Sequence, residues 1–166
     1  MMHWWQALFD GSYIQVKANL AFIDKYSLYY HGQNCLHVVC IGGNTTNHVK
    51  IIQMILKKDL APDINTPDDF GNTPLHMSAC RGYLTMTKVL LLNGADPTLI
   101  NSQGRTPLKL SYKFKKVEDF IKKWIIFHGW KTWLNELKKQ RETYYLSIIW
   151  LRNNITYPLC EFLKYI

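Results

Sequence analysis

The chain has 166 residues, of which 48% are hydrophobic and 19% are charged. This composition excludes an intrinsically disordered chain, which would carry fewer apolar and more charged residues, and the length fits one folded domain. The net charge of +8 is uneven, because residues 109–166 carry 12 Lys and Arg against 5 Asp and Glu, whereas residues 1–108 carry 8 against 7. We therefore expect a folded, soluble protein with a nearly neutral body and a basic C-terminal part.

The N-terminus and the cysteines indicate an intracellular protein. The first residues lack a basic stretch, and Asp10 interrupts the apolar run, so the sequence predicts no secretory signal. The apolar stretches later in the chain fall short of the about 20 residues that a transmembrane segment needs. Cys35, Cys40, Cys80 and Cys160 have no zinc-site spacing. We expect a reducing compartment, the cytoplasm ahead of the nucleus or an organelle.

In chain order, the apolar pattern predicts pairs of short helices. Residues 5–10 predict a helix that ends at Gly11, and residues 13–22 predict its partner. Residues 36–40 and 49–56 predict the next pair, separated by a polar, turn-rich stretch.

The following pair carries the clearest local signals. Thr73 suits a helix N-cap, and Pro74 suits the first helical turn, where a missing N–H costs nothing. Residues 85–93 predict the second helix, with Met86, Val89, Leu90 and Leu92 available to its buried side. Gly94 fits the left-handed position that ends a helix.

A hexapeptide motif recurs along the chain. Gly-Asn-Thr-Pro-Leu-His at residues 71–76 returns as Gly-Arg-Thr-Pro-Leu-Lys at 104–109, 33 positions later, and a weaker copy precedes it at 32–37. The period and the unit at 69–97 resemble the ankyrin-repeat family. The resemblance covers about residues 1–125 and implies an N-terminal half-cap at 1–29, repeats at about 30–66, 67–99 and 100–125, and a C-terminal helical extension at 126–166.

The resemblance implies an all-α ankyrin-repeat solenoid of helix-turn-helix units with short β-hairpin-like fingers, followed by C-terminal capping helices. The third repeat is degraded, because Lys109 replaces the motif histidine and Lys115 stands where a glycine would lie. Terminal repeats are expected to be atypical, since one face must meet solvent. An apolar stripe at helical spacing nevertheless continues through Val117, Phe120, Ile121 and Trp124.

No motif in the sequence predicts catalysis. In ankyrin repeats the histidine at the positions of His37 and His76 is structural and hydrogen-bonds between loops, and neither has an adjacent nucleophile or carboxylate here. Asp63, Asp68 and Asp69 predict a solvated turn rather than a calcium site, which needs more oxygen ligands. No phosphate-binding or nucleophile-elbow motif occurs. We expect a non-enzyme without cofactor or metal.

Stacked repeats instead predict a concave binding face formed by fingers and first helices. This indicates a non-catalytic protein-protein interaction module that acts as an adaptor, an inhibitor or an accessory subunit, with a protein partner of unknown identity. A substrate-recruiting piece of an enzyme assembly is an alternative. Phe70 is either an exposed anchor or packs against the neighbouring finger. The predicted partner-binding residues flank the motif glycines and prolines: His31, Gln33, Ile41, Asp69, Phe70, Asn72, Cys80, Arg81, Ser102, Gln103, Arg105 and Lys113.

The basic C-terminal part allows three interpretations. Its helices could cap the open end of the stack, since an uncapped repeat exposes apolar surface. They could dock a partner through Trp130, Trp133 and Trp150. They could also form a basic, aromatic surface for an anionic membrane or nucleic acid. The cations available for that surface are Lys113, Lys115, Lys116, Lys122, Lys123, Lys138, Lys139 and Arg141.

Overall fold

The computed structural model describes residues 4–19, 30–57 and 62–139. Within these ranges the chain forms eight α-helices and no β-strand. Two 3₁₀ turns lie at Tyr30–Gly32 and Ser111–Lys113. The helices are α1 (Trp4–Asp10), α2 (Tyr13–Ala18), α3 (Cys35–Gly42), α4 (Thr46–Leu56), α5 (Pro74–Cys80), α6 (Leu84–Leu92), α7 (Pro107–Leu110) and α8 (Lys115–Lys139).

The contacts within the chain divide it into two units, residues 1–118 and residues 119–166. In the first unit, α1 packs on α2, α3 on α4 and α5 on α6. Helices α1, α3, α5 and α7 contact one another in succession, and α2, α4 and α6 do the same. We call these sets the first-helix layer and the second-helix layer. This two-layer stack of helix pairs is the predicted all-α solenoid.

The pair α5 and α6 shows how local sequence sets the helix ends. Thr73 is the N-cap of α5, with extended backbone, and Pro74 occupies the first turn, as predicted. Gly94 has φ +93°, in the left-handed region that side chains rarely adopt, and follows directly on the residue that caps α6. The predicted cap, first turn and terminating glycine are thus confirmed.

The core of α6 differs from the prediction at one position. Met86, Val89 and Leu90 are buried as expected, but Leu92 is 59% exposed, whereas Leu91 is buried. An α-helix turns about 100° per residue, so Leu92 lies about 200° around the axis from Leu90. The prediction was wrong at Leu92 because three consecutive leucines point in different directions around the helix, and the sequence alone does not indicate which of them face the core.

Helix α8 runs for 25 residues without a break, so the predicted domain boundary at residue 125 lies inside it. Its predicted apolar stripe of Val117, Phe120, Ile121 and Trp124 is buried. In the second unit the rings of Trp124 and His128 stack at 4.2 Å. Trp150 and Arg141 lie outside the described residues, as do the side chains of Trp130, Trp133, Lys138 and Lys139.

None of the helices in the described ranges is both long and apolar enough to cross a membrane.

Candidate interaction surface

Three fingers, at residues 30–34, 68–72 and 101–105, precede the first helices α3, α5 and α7. The second finger is built around Asp68, whose Oδ1 accepts hydrogen bonds from the backbone N–H of Phe70 and Asn72, at 2.9 and 2.7 Å. Its backbone N–H also donates to the carbonyl of Asn72, at 2.9 Å. A short polar side chain at this position therefore fixes the shape of the turn.

The third finger repeats this geometry 33 residues later with an amide in place of the carboxylate. Oδ1 of Asn101 accepts from the backbone N–H of Gln103 and of Arg105, each at 3.0 Å. The recurrence shows that the side-chain oxygen, rather than the charge of Asp68, sets the turn. The sequence motif starting at the glycine does not include this position.

The prediction of a solvated acidic turn was wrong for Asp68. Its side chain is only 6% exposed, while Asp63 and Asp69 are exposed as expected. The two backbone N–H groups draw its Oδ1 into the turn, and Oδ2 is buried without a hydrogen-bond partner in the described residues. The described residues also contain no group of three His, Cys, Asp or Glu side chains placed to hold a metal ion.

Hydrogen bonds join each finger to the next. The backbone N–H of Asp69 donates to the carbonyl of His31 at 2.9 Å, and that of Ser102 donates to the carbonyl of Phe70 at 3.0 Å. These bonds connect the three fingers into one row, so that their exposed side chains keep a fixed spacing. The fingers thus meet the description of hairpin-like elements without forming assigned strands.

Two histidines, one in α3 and one in α5, hydrogen-bond to the finger that follows in the row. Nε2 of His37 lies 2.8 Å from the carbonyl oxygen of Asn72, and Nε2 of His76 lies 3.1 Å from that of Arg105. Since a carbonyl can only accept, Nε2 donates in both pairs. Nδ1 of His76 then accepts from the backbone N–H of Thr73 at 3.1 Å. The predicted structural, loop-bridging role of both histidines is confirmed.

Burial sets the charge state of these two imidazoles. Desolvation lowers the pKa of His37 and of His76 below the ordinary value of 6.5, and the hydrogen bonds to the backbone carbonyls oppose that shift. Both rings are neutral at pH 7, which matches the single donor that each bridge requires.

A third bridging histidine, His48, was missed at the level of sequence. Its Nε2 donates to the carbonyl of Phe9 at 2.9 Å, and its Nδ1 lies 2.7 Å from the hydroxyl of Thr45. The signal was available, because Thr45 precedes His48 by three positions as Thr73 precedes His76. It was overlooked because this Thr-x-x-His starts a second helix, outside the repeated motif.

Cys35 and Cys40 are not nucleophiles in this fold. Burial raises the pKa of Cys35 to about 12, and it raises the pKa of Cys40 further. Both side chains pack in the core as small hydrophobes, as expected for free cysteine.

The twelve predicted partner-binding residues fall into two groups. The half-buried ones are Gln33, Ile41, Asn72, Cys80 and Arg81. Among them, Asn72 serves the fold, because its Oδ1 accepts a hydrogen bond from the side chain of Asn101 at 2.9 Å. The exposed ones are His31, Asp69, Phe70, Ser102, Gln103, Arg105 and Lys113. We call the exposed finger residues, together with the C-terminal ends of α3 and α5 and the turn at Ser111–Lys113, the finger face.

Phe70 combines the two alternatives that the sequence left open. Its ring lies 5.2 Å from that of His31 on the preceding finger, at a tilt of 52°, and its side chain is still 52% exposed. The neighbouring finger therefore orients the ring without covering it. A large, oriented and exposed aromatic ring of this kind is a typical anchor for a protein partner.

The C-terminal half of the finger face carries cations. One guanidinium nitrogen of Arg81 lies 3.6 Å from the sulfur of Met77 and 3.6 Å from that of Cys80, so the group rests on its own helix. The ammonium of Lys113 lies 5.5 Å above the ring of Tyr112, which is 65% exposed. Neither arrangement neutralises the positive charge.

The finger row and the bridging histidines agree with the similarity of this chain to known proteins. The family model for ankyrin repeats (many copies) matches residues 55–111. The matched part of the chain, residues 55–111, therefore consists of ankyrin repeats. A putative ankyrin repeat protein of fowlpox virus is 30% identical over 55% of this chain and 19% of its own length.

Two further relatives are larger proteins. Oxysterol-binding protein-related protein 1 of Rattus norvegicus is 26% identical over 72% of this chain, and the NAD-dependent deacetylase sir2B of Dictyostelium discoideum is 29% identical over 84%. The matches span only 12% and 17% of the lengths of these two relatives. Ankyrin repeats generally serve as non-catalytic protein-protein interaction modules.

Proposed function

We propose that the chain acts as a non-catalytic adaptor, inhibitor or accessory subunit that binds one partner protein through its finger face. The observation that carries this proposal is Phe70, a half-exposed aromatic ring oriented by His31 on a hydrogen-bonded row of fingers. Interface energy is concentrated in such aromatic groups and in arginines. Arg105 is exposed on the third finger, which hydrogen-bonds to the carbonyl of Phe70, and Arg81 is the half-buried cap residue at the end of α5.

Rigidity supports the same proposal. Binding costs less when the contacting side chains are already ordered. Here the backbone bonds between fingers and the bridges from His37 and His76 hold the row before any partner arrives. The free thiols of Cys35, Cys40 and Cys80 favour a reducing, intracellular location. Recruitment of a substrate to an enzyme assembly would use the same face.

Quantitative affinity capture with paired variants tests the proposal. The finger-face variant Phe70→Ser/Arg105→Glu is compared with Leu92→Ser/Lys50→Glu, which makes the same chemical changes at exposed positions of the second-helix layer. We expect the first variant to lose the partner that the native chain retains in stoichiometric amount, and the second to keep it. Retention by the first variant and loss by the second would contradict the proposal.

A second function, binding of an anionic membrane or a nucleic acid, is supported by the exposed lysines Lys109, Lys113, Lys115, Lys116 and Lys122. The test is a variant with Lys115, Lys116, Lys138 and Lys139 changed to Gln. We expect this variant to bind anionic vesicles or an oligonucleotide more weakly, and with a shallower salt dependence. Unchanged binding would exclude this function.

A further inference from the structure

The finger face changes character along the stack. Equivalent positions are occupied by Ile41 near the end of α3, by Cys80 at the end of α5 and by Lys113 in the 3₁₀ turn that follows α7, separated by 39 and 33 residues. The fingers change in the same direction, from the aromatic pair of His31 and Phe70 to the exposed Arg105. The face is therefore apolar and aromatic in the first two repeats and cationic from the end of the second repeat onwards.

The cations of this face have no acidic partner in the part of the chain that the structure describes. Arg81 contacts sulfur atoms, Lys113 lies over Tyr112, and Arg105 is exposed. The carboxylate of Asp68 is buried in the second finger, which leaves Asp69 as the exposed acid on the fingers. The surface thus offers unneutralised positive charge next to an apolar, aromatic site.

We infer that the finger face binds an extended, acidic segment of a protein partner that carries one aromatic or large apolar side chain. This inference rests on the proposed function. The apolar side chain packs on Phe70 and His31, and the carboxylates pair with Arg105, Lys113 and Arg81. A guanidinium pairs strongly with carboxylate because it can donate two parallel hydrogen bonds.

The geometry also sets the spacing within that segment. Neighbouring helices in a packed layer lie about 10 Å apart, and an extended chain advances about 3.3 Å per residue. A segment that follows the row of fingers therefore moves by one repeat in about three residues. The first acidic residue is expected about three positions from the aromatic one, on the side that meets the third finger.

Charge at the aromatic site favours a peptide over a nucleic acid. Asp69 directly precedes Phe70 and is exposed. A nucleic acid that stacked a base on Phe70 would therefore bring its phosphates close to a carboxylate of the same charge. A peptide backbone can donate its N–H groups to the same carboxylate. Ile41, at the apolar end of the face, offers a nucleic acid neither charge nor an aromatic ring.

Selection from a library of random 12-residue peptides tests this inference on the full chain. The native chain is expected to enrich peptides with one aromatic or large apolar residue and several Asp or Glu, the first about three positions away. Arg105→Glu/Lys113→Glu should lose that acidic preference. Lys17→Glu/Lys50→Glu reverses the same number of charges at exposed positions of α2 and α4 and should keep it. Circular dichroism confirms that each variant is folded.

Any of three results would overturn the inference of an acidic ligand. They are an enriched pool without acidic residues, no enrichment at all, or the same pool from the Arg105→Glu/Lys113→Glu variant. Preferential binding of the oligonucleotide dT12, abolished by the same variant, would replace the peptide with a nucleic acid. If the library fails while the paired capture variants still behave as proposed, the face binds a folded surface, so the inference fails and the proposed function stands.

Discussion

The imidazole of His76 donates a hydrogen bond from Nε2 to the carbonyl oxygen of Arg105, 3.1 Å away, and ties the start of α5 to the third finger. Lys109 occupies the equivalent position 33 residues later and is exposed. The same place in the repeat thus holds a buried bridge in one unit and an exposed cation in the next. These two residues provide a matched pair for measuring what the bridge contributes to stability.

We expect His76→Ala to lower the free energy of unfolding by about 2 kcal/mol, because it removes a buried ring together with its hydrogen bonds to the Arg105 carbonyl and the Thr73 backbone N–H. Lys109→Ala should change it by less than about 0.5 kcal/mol, as is usual for an exposed position. Urea titration followed by circular dichroism measures both. Equal effects of the two substitutions would show that the bridge has no special role.

Stability should fall as the solution is acidified. Burial lowers the pKa of His37 and of His76 in the folded state, so the unfolded chain binds protons first as the pH drops below about 6.5. The stabilisation is complete above the unfolded pKa and is lost as the pH falls through the folded pKa. We expect the urea midpoint to decrease between pH 7.5 and 5.5, and to decrease less in His76→Gln. A midpoint that rises or stays constant on acidification contradicts this assignment.

Gly42 and Gly129 should respond in opposite ways to alanine. A Cβ on Gly42 would overlap the backbone carbonyl of Phe9, which cannot move aside as a flexible side chain could. We expect Gly42→Ala to destabilise the fold by about 1–3 kcal/mol, as overpacking does. Gly129 lies inside α8 with nothing near its Cβ position, so alanine should favour that helix by up to about 1 kcal/mol.

Thermal unfolding of the two glycine variants checks this pair. The control for Gly42→Ala is Gly129→Ala itself, since both make the same change within a helix. If Gly42→Ala is as stable as the native chain, the close approach of α3 to Phe9 is incorrect.

Asn34→Thr should stabilise the chain by about 1 kcal/mol, because it removes a buried donor without a partner. Oδ1 of Asn34 accepts from the backbone of Leu36 and His37, whereas its Nδ2 is buried and lacks a partner among the described residues. Threonine occupies the equivalent cap at Thr73, whose hydroxyl lies 2.9 Å from Nδ1 of His76 and can donate to it. Asn34→Ala, which removes the cap as well, is the control and should destabilise. A urea midpoint for Asn34→Thr below that of the native chain would contradict the account.

Much of the fold could be predicted from short-range signals. The 33-residue period, the Thr73 cap, Pro74 and Gly94 each act over a few residues, so the sequence displays them directly. The bridges of His37 and His76 followed from the family resemblance. These features position the fingers, and they explain why the solenoid was predicted correctly.

Features that depend on distant partners were harder to predict. His48 bonds to the carbonyl of Phe9, 39 residues earlier. The spacing of Thr45 and His48 indicates a bridging histidine, but it does not show which distant carbonyl the ring reaches. The burial of Asp68 depends on backbone N–H groups that converge only when the turn forms. Similarly, the side chain of Asn72 is held by a hydrogen bond from Asn101 of the next finger. Residues that flank a motif can therefore belong to the turn rather than to the binding surface.

Site-specific photo-crosslinking shows directly whether the finger face contacts the partner protein. A benzophenone amino acid replaces Phe70 in one variant and Leu92, which is exposed on the second-helix layer, in another. We expect the probe at position 70 to crosslink one partner in high yield and the probe at position 92 not to crosslink it. Crosslinking of that partner from position 92 and not from position 70 would contradict it.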